Sequence, residues 1–64
     1  MKITYDKQAD AMYIRLTDHE VANSEENPAG VIVDLDADGS MVGIELLKVS
    51  MRTDNPEKII YELA

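Results

Sequence analysis

Gly30-Val-Ile-Val-Asp-Leu-Asp-Ala-Asp-Gly39-Ser-Met-Val-Gly-Ile-Glu-Leu-Leu-Lys-Val49 is the stretch whose reading decides the fold. Two alternating apolar segments flank Asp38-Gly39, a dipeptide suited to a tight type I′ turn because both central residues there need positive φ. Pairing about this dipeptide sets Leu35 opposite Val42, Val33 opposite Ile44 and Val31 opposite Leu46, which makes one strand face continuously apolar. A three-residue loop with a bulge would slip the pairing by one and set Val33 against Gly43 and Val31 against Glu45. The pattern therefore predicts a hairpin with a two-residue turn, a four-residue loop in the same register being the compatible alternative.

Toward the N-terminus, Lys2-Ile3-Thr4-Tyr5 and Met12-Tyr13-Ile14-Arg15-Leu16 alternate about the polar stretch Lys7-Gln8-Ala9-Asp10, the signature of a second hairpin. Setting Tyr5 opposite Met12 aligns Ile3 with Ile14, so this pair also builds an apolar face, although Lys2 then meets Arg15. Thr17-Asp18-His19-Glu20 reads as a turn, Val21-Ala22-Asn23-Ser24-Glu25 as a short polar strand, and Asn27-Pro28-Ala29-Gly30 as a break before the central hairpin. Beyond Val49, Asn55-Pro56-Glu57 offers an N-cap, a proline at the first helical position and an acid in the first turn. These signals predict a short helix over about residues 55–63 with Ile59, Ile60 and Leu63 as its stripe, while Lys58–Ala64 as a strand stays open. The expected fold is α+β: a single domain over residues 1–64, with a five-stranded antiparallel meander of β-hairpins over about residues 2–49 and this C-terminal helix.

A chain of 64 residues buries only about 60% of its unfolded surface, so its core is marginal. It has no cysteine and one histidine, which removes disulfides and a thiolate or imidazole zinc site as sources of stability. Self-association is the remaining common route, and a homo-oligomer is expected. Thirteen acidic residues against six basic ones give a net charge of −7, which disfavours nucleic acid and suits a basic protein partner. Met1-Lys-Ile-Thr-Tyr-Asp6 lacks the apolar core of a secretion signal, and no apolar run approaches the ~20 residues of a membrane span, so a cytoplasmic location away from membranes is expected.

Asp34-x-Asp36-x-Asp38-Gly39 with Glu45 six residues on matches the spacing of an EF-hand calcium loop, in which alternate carboxylates and a sharp turn supply hard oxygen ligands. Its flanks are strand-like where an EF-hand has helices, which favours a turn with a solvated acidic face. The same carboxylates could serve as an acid/base pair, but such catalysis needs a desolvating pocket that a small sheet has little material to build. His19 reads as an exposed turn residue, and no serine has a basic partner nearby that would make it a nucleophile. No catalytic residue and no cofactor site is expected. The second face of the strands, with Tyr13, Ile32 and Leu47 beside Asp34 and Glu45, is the candidate interaction surface.

Two segments together carry a resemblance. Tyr5-Asp6-x-x-x-Asp10-Ala11-Met12-Tyr13-Ile14-x-Leu16 and Gly30-Val31-x-Val33-Asp34-x-Asp36-x-x-Gly39-x-x-Val42-Gly43-Ile44-Glu45-x-Leu47 resemble the small prokaryotic domain of unknown function 2283. The resemblance covers residues 2 to about 50 and implies a small soluble β-rich protein. It assigns no catalytic or binding residue. Asp34 and Glu45 are the two matched acids that hairpin geometry does not itself require. The expectation from residues and resemblance together is a non-enzymatic interaction module that self-associates and meets a protein partner through an acidic face. Calcium or another hard cation at the Asp34–Glu45 loop is the alternative, and a carboxylate enzyme the third.

Overall fold

A computed structural model describes all 64 residues. Five strands, β1 (Lys2–Asp6), β2 (Ala11–Arg15), β3 (Asn23–Asn27), β4 (Val31–Leu35) and β5 (Met41–Leu47), form one antiparallel sheet. Their order is β1-β2-β5-β4-β3. Each run of neighbours, β1-β2 and β3-β4-β5, goes up and down as in a meander, but the two runs join through β2 and β5 and not through β2 and β3. Composition explains the choice. A central strand is covered by neighbours on both edges, and β2 (AMYIR) and β5 (MVGIELL) have apolar residues to place there. The strand β3 (NSEEN) has none and is exposed along its whole length, so it takes an edge. It also lies two residues later in the chain than the Val21–Glu25 segment expected from sequence.

The β1-β2 register is the one the apolar pattern predicts: Ile3 faces Ile14, Tyr5 faces Met12, and Lys2 faces Arg15. In the central hairpin Val33 pairs with Ile44 and Val31 with Leu46, again as predicted, but the turn is different. Asp36 donates its amide to the Ser40 carbonyl at 2.9 Å, and Gly39 donates to the Asp36 carbonyl at 3.1 Å. Ala37, Asp38 and Gly39 therefore form a three-residue loop, in which Gly39 has φ +83° while Asp38 is not at positive φ. The type I′ turn is thereby corrected, as is the pairing of Leu35 with Val42, since Leu35 pairs with Met41. The one-residue slip that such a loop imposes is absorbed by a register shift between Asp34 and Leu35, which restores Val33 to Ile44. The Val42 carbonyl at this irregularity accepts the amides of Leu16 and Thr17, and Val42 itself is fully buried.

No helix forms over residues 55–63. The chain after β5 makes one turn of 3-10 helix at Val49–Met51, a hydrogen-bonded turn from Asn55 to Lys58, and then runs without regular structure. Ile59, Ile60 and Leu63, the expected stripe, are 54%, 68% and 83% exposed. Nine residues cannot hold a helix by propensity alone, and here no surface receives their apolar side. The helical part of the α+β expectation, and equally a strand at Lys58–Ala64, is absent from the single chain. No helix is long and apolar enough to cross a membrane.

Register divides the side chains into two faces. One carries the rows Ile3-Ile14-Ile44-Val33 and Tyr5-Met12-Leu46-Val31; the other carries Thr4-Tyr13-Glu45-Ile32 and Lys2-Arg15-Gly43-Asp34. Neither face has a second layer upon it. Six residues are buried, Ala11, Met12, Asp36, Val42, Gly43 and Val49, and apart from Met12 and Val42 the large side chains of both faces stay half-buried or exposed.

Candidate functional site

Tyr13, Ile32, Asp34, Glu45 and Leu47 all project from the second face, because β2, β5 and β4 are adjacent and the five positions share one parity of the pleat. Glu45 pairs with Tyr13 on one side and Ile32 on the other, so an acid is bracketed by a ring and an aliphatic side chain. Leu47 lies one pleat farther along β5, opposite Ala11. All five are half-buried.

Asp34 is held by two donors from different strands. The Tyr13 hydroxyl donates to one carboxylate oxygen at 2.8 Å and the Ser24 hydroxyl to the other at 2.6 Å. The Tyr13 ring reaches Asp34 across β5 by passing over Gly43, where an added Cβ would lie 2.6 Å from Tyr13 Cζ and 2.9 Å from the Ile14 carbonyl oxygen. Gly43 is thus the residue that lets an aromatic ring cover the middle of the sheet. Burial, and then the hydrogen bond to Asp34, push the Tyr13 hydroxyl above its ordinary pKa. Ser24, which the sequence left unassigned, completes this chain from its place on the polar edge strand.

The other carboxylates of the EF-hand-like spacing point elsewhere. One oxygen of Asp36 accepts the amides of Asp38 and Ser40, both at 2.9 Å, and so holds the hairpin loop closed. Its second oxygen lies 2.9 Å from His19 Nδ1. The bond to His19, followed by the loop amide of Ser40, holds the Asp36 carboxyl below its usual pKa. His19, an exposed turn residue as expected, nevertheless joins the β2-β3 connection to the central loop, helped by Arg15, which donates to the carbonyls of Thr17 and His19. Asp38 is exposed in the loop, and Glu45 lies on the sheet face. The four acids Asp34, Asp36, Asp38 and Glu45 do not converge, and no three acidic or histidine side chains of the molecule gather around one point.

A second set of polar contacts lies at the β1-β2 turn. Asp10, at φ 52°, accepts the Tyr5 hydroxyl at 3.0 Å, the Ser50 amide at 3.0 Å and the Ser50 hydroxyl at 2.6 Å. The two bonds from Ser50 hold its carboxyl below the ordinary value. Asp6 accepts the amides of Gln8 and Ala9, closing the same turn. The matched pair Asp6 and Asp10 is thereby structural: one acid shapes the turn and the other fastens the segment after β5 to it. Forty residues separate Asp10 from Ser50, so no local pattern announces the contact.

The molecule's depressions are open. One is lined by Met1, Lys2, Arg15, Leu16, Thr17 and Asp18, the other by Tyr5, Lys7, Pro56 and Glu57, and neither contains Tyr13, Ile32, Asp34, Glu45 or Leu47. No curated protein and no solved structure matches this chain. The model of one protein family matches residues 2–50, which takes in all five strands, the Asp10 turn, the Tyr13-Gly43-Asp34 contact and Ser50, which fastens to Asp10. The chain belongs to this family, described as protein of unknown function DUF2283.

Proposed function

We propose that this protein is a non-enzymatic interaction module whose apolar face stacks on a second copy and whose acidic face binds a basic protein partner. One observation carries the reading: the sheet is a single layer with six buried residues, and its two uncovered faces differ in chemistry. On the first face the central strands carry no charge. A copy of a molecule with net charge −7 meets least repulsion there, and its approach removes the Ile3-Ile14-Ile44-Val33 row from water. On the second face, Glu45 between Tyr13 and Ile32 suits one lysine or arginine side chain. The carboxylate takes the charge, Ile32 the aliphatic stem, and the Tyr13 ring a cation–π contact. Asp34, already bonded to Tyr13 and Ser24, keeps the ring in place.

Light scattering of the full chain and a titration with a lysine- and arginine-rich peptide, followed by backbone amide shifts, test the two halves. The expected results are a multiple of the 7.1 kDa chain mass, and shifts centred on Tyr13, Ile32 and Glu45 that weaken with salt. Glu45→Lys abolishes the peptide shifts while leaving the mass unchanged. A folded 7.1 kDa species at millimolar concentration overturns the self-association, and peptide shifts that survive Glu45→Lys overturn the acidic-face site.

A further inference from the structure

The two edges of the sheet are not equivalent. The edge strand β3 is polar throughout, carries Glu25 and Glu26, and is followed by Pro28, all devices that discourage pairing with another strand. The other edge, β1, carries Lys2 and Asp6 at its ends but has no adjacent charges within the strand and no proline beside it. It alternates Lys2-Ile3-Thr4-Tyr5-Asp6, its Ile3 is 40% exposed, and Lys2 and Lys7 make it the more basic of the two. The chain also contains a segment of strand-like pattern with no partner, Lys58-Ile-Ile-Tyr-Glu-Leu-Ala64. Its Ile59, Tyr61 and Leu63 fall on one side at a period of two, and they are 54%, 77% and 83% exposed. No backbone amide of residues 59–64 bonds to the rest of the chain.

From this juxtaposition we infer that Lys58–Ala64 of one copy adds as a sixth strand to the β1 edge of a second copy. The inference rests on the self-association proposed above and names a second contact within it. In extended form the segment places Ile59, Tyr61 and Leu63 on one face, where they continue the apolar rows that begin at Ile3 and Tyr5. Its acid Glu62, with Glu57 just before it, meets Lys2 and Lys7 at the β1 edge, whereas at β3 these acids would meet Glu25 and Glu26. Within one chain Glu57 already forms an ion pair with Lys7, and Pro56 and Glu57 share an open depression with Tyr5. The segment nevertheless stays off its own β1 edge, which leaves both the edge and the segment to a neighbour. A reciprocal exchange, each copy giving one segment and receiving one, closes as a twofold dimer and leaves only the protected β3 edges free.

The test is NMR on an equimolar mixture of differently isotope-labelled full-length chains, with light scattering of a chain ending at Glu57 and of Ile60→Pro. Because residues 58–64 are all exposed in the single chain, neither change endangers the fold. The expected result is a set of intermolecular contacts from Ile59, Tyr61 and Leu63 to Lys2–Asp6. Both variants should also weaken the dimer at least about tenfold in dissociation constant, equivalent to about 1.4 kcal/mol. Intermolecular contacts confined to the Ile14-Ile44 face, with both variants dimerising as the parent does, overturn the inference and leave the face contact standing. Contacts between residues 58–64 and β1 within one molecule also overturn it, as does a full-length chain that stays monomeric; that last result removes the self-association reading as well.

Discussion

Gly39 is the residue on which the central hairpin turns. At φ +83° its backbone occupies a region that a β-branched side chain enters only with strain, although nothing lies within 4 Å of the position a Cβ would take. The cost of replacing it is therefore backbone strain alone, uncomplicated by steric contact. Gly39→Val should lose on the order of 1–3 kcal/mol, while Ser40→Val should stay near the parent, because Ser40 serves the loop through its backbone amide and carbonyl. Thermal melts of both at one protein concentration check this, and a Gly39→Val midpoint equal to the parent's would contradict it. Gly43 has a different reason for being glycine. Its φ is ordinary, and what excludes a side chain there is the Tyr13 ring passing overhead to Asp34, together with the Ile14 carbonyl of the neighbouring strand.

Among the elements, the loop from Asp36 to Ser40 joins the hairpin to the β2-β3 connection through a single carboxylate. Asp36 accepts two loop amides and His19, and these bonds favour its charged form over its neutral one. Its folded pKa lies below the ordinary 3.8, so the unfolded state binds the proton more readily. This contribution to stability is complete above about pH 3.8 and fades as the pH falls through the lower folded value. Asp10, held by Ser50 at the other end of the sheet, has the same sign and the same window. Stability followed by denaturant melts should fall steeply below about pH 4. Asp36→Asn should be less stable than the parent at neutral pH and show a shallower acid decline. An unchanged slope would mean that Asp36 does not report the loop's closure.

For the whole molecule the governing fact is a sheet with no second layer. Six buried residues are few for a chain that must offset the entropy of ordering its backbone, and both faces keep apolar side chains partly in water. Under the proposed self-association a second copy would supply the missing burial, and stability would then depend on concentration. The melting midpoint should rise as the protein concentration is raised a hundredfold, because assembled chains are drawn away from the unfolded state. A midpoint constant over that range would show that one layer suffices.

Alternation alone determined which residues form strands β1, β2, β4 and β5, the pairings of Ile3 with Ile14 and Val33 with Ile44, and the gathering of Tyr13, Ile32, Asp34, Glu45 and Leu47 on one face. A period of two fixes facing wherever one side is apolar, so these features are local and legible. Four features belonged to the tertiary structure. The slip of the three-residue loop is cancelled by the irregularity at Asp34 and Leu35, because burying Val33 against Ile44 outweighs a regular ladder. The neighbour of β2 is β5, since a polar β3 cannot serve in the middle of a sheet. Asp34, Asp36 and Asp10 find Ser24, His19 and Ser50 across separations no pattern reveals. Residues 55–63 carry a helix's capping signals yet form none, because capping cannot hold a short helix that has no surface to dock on.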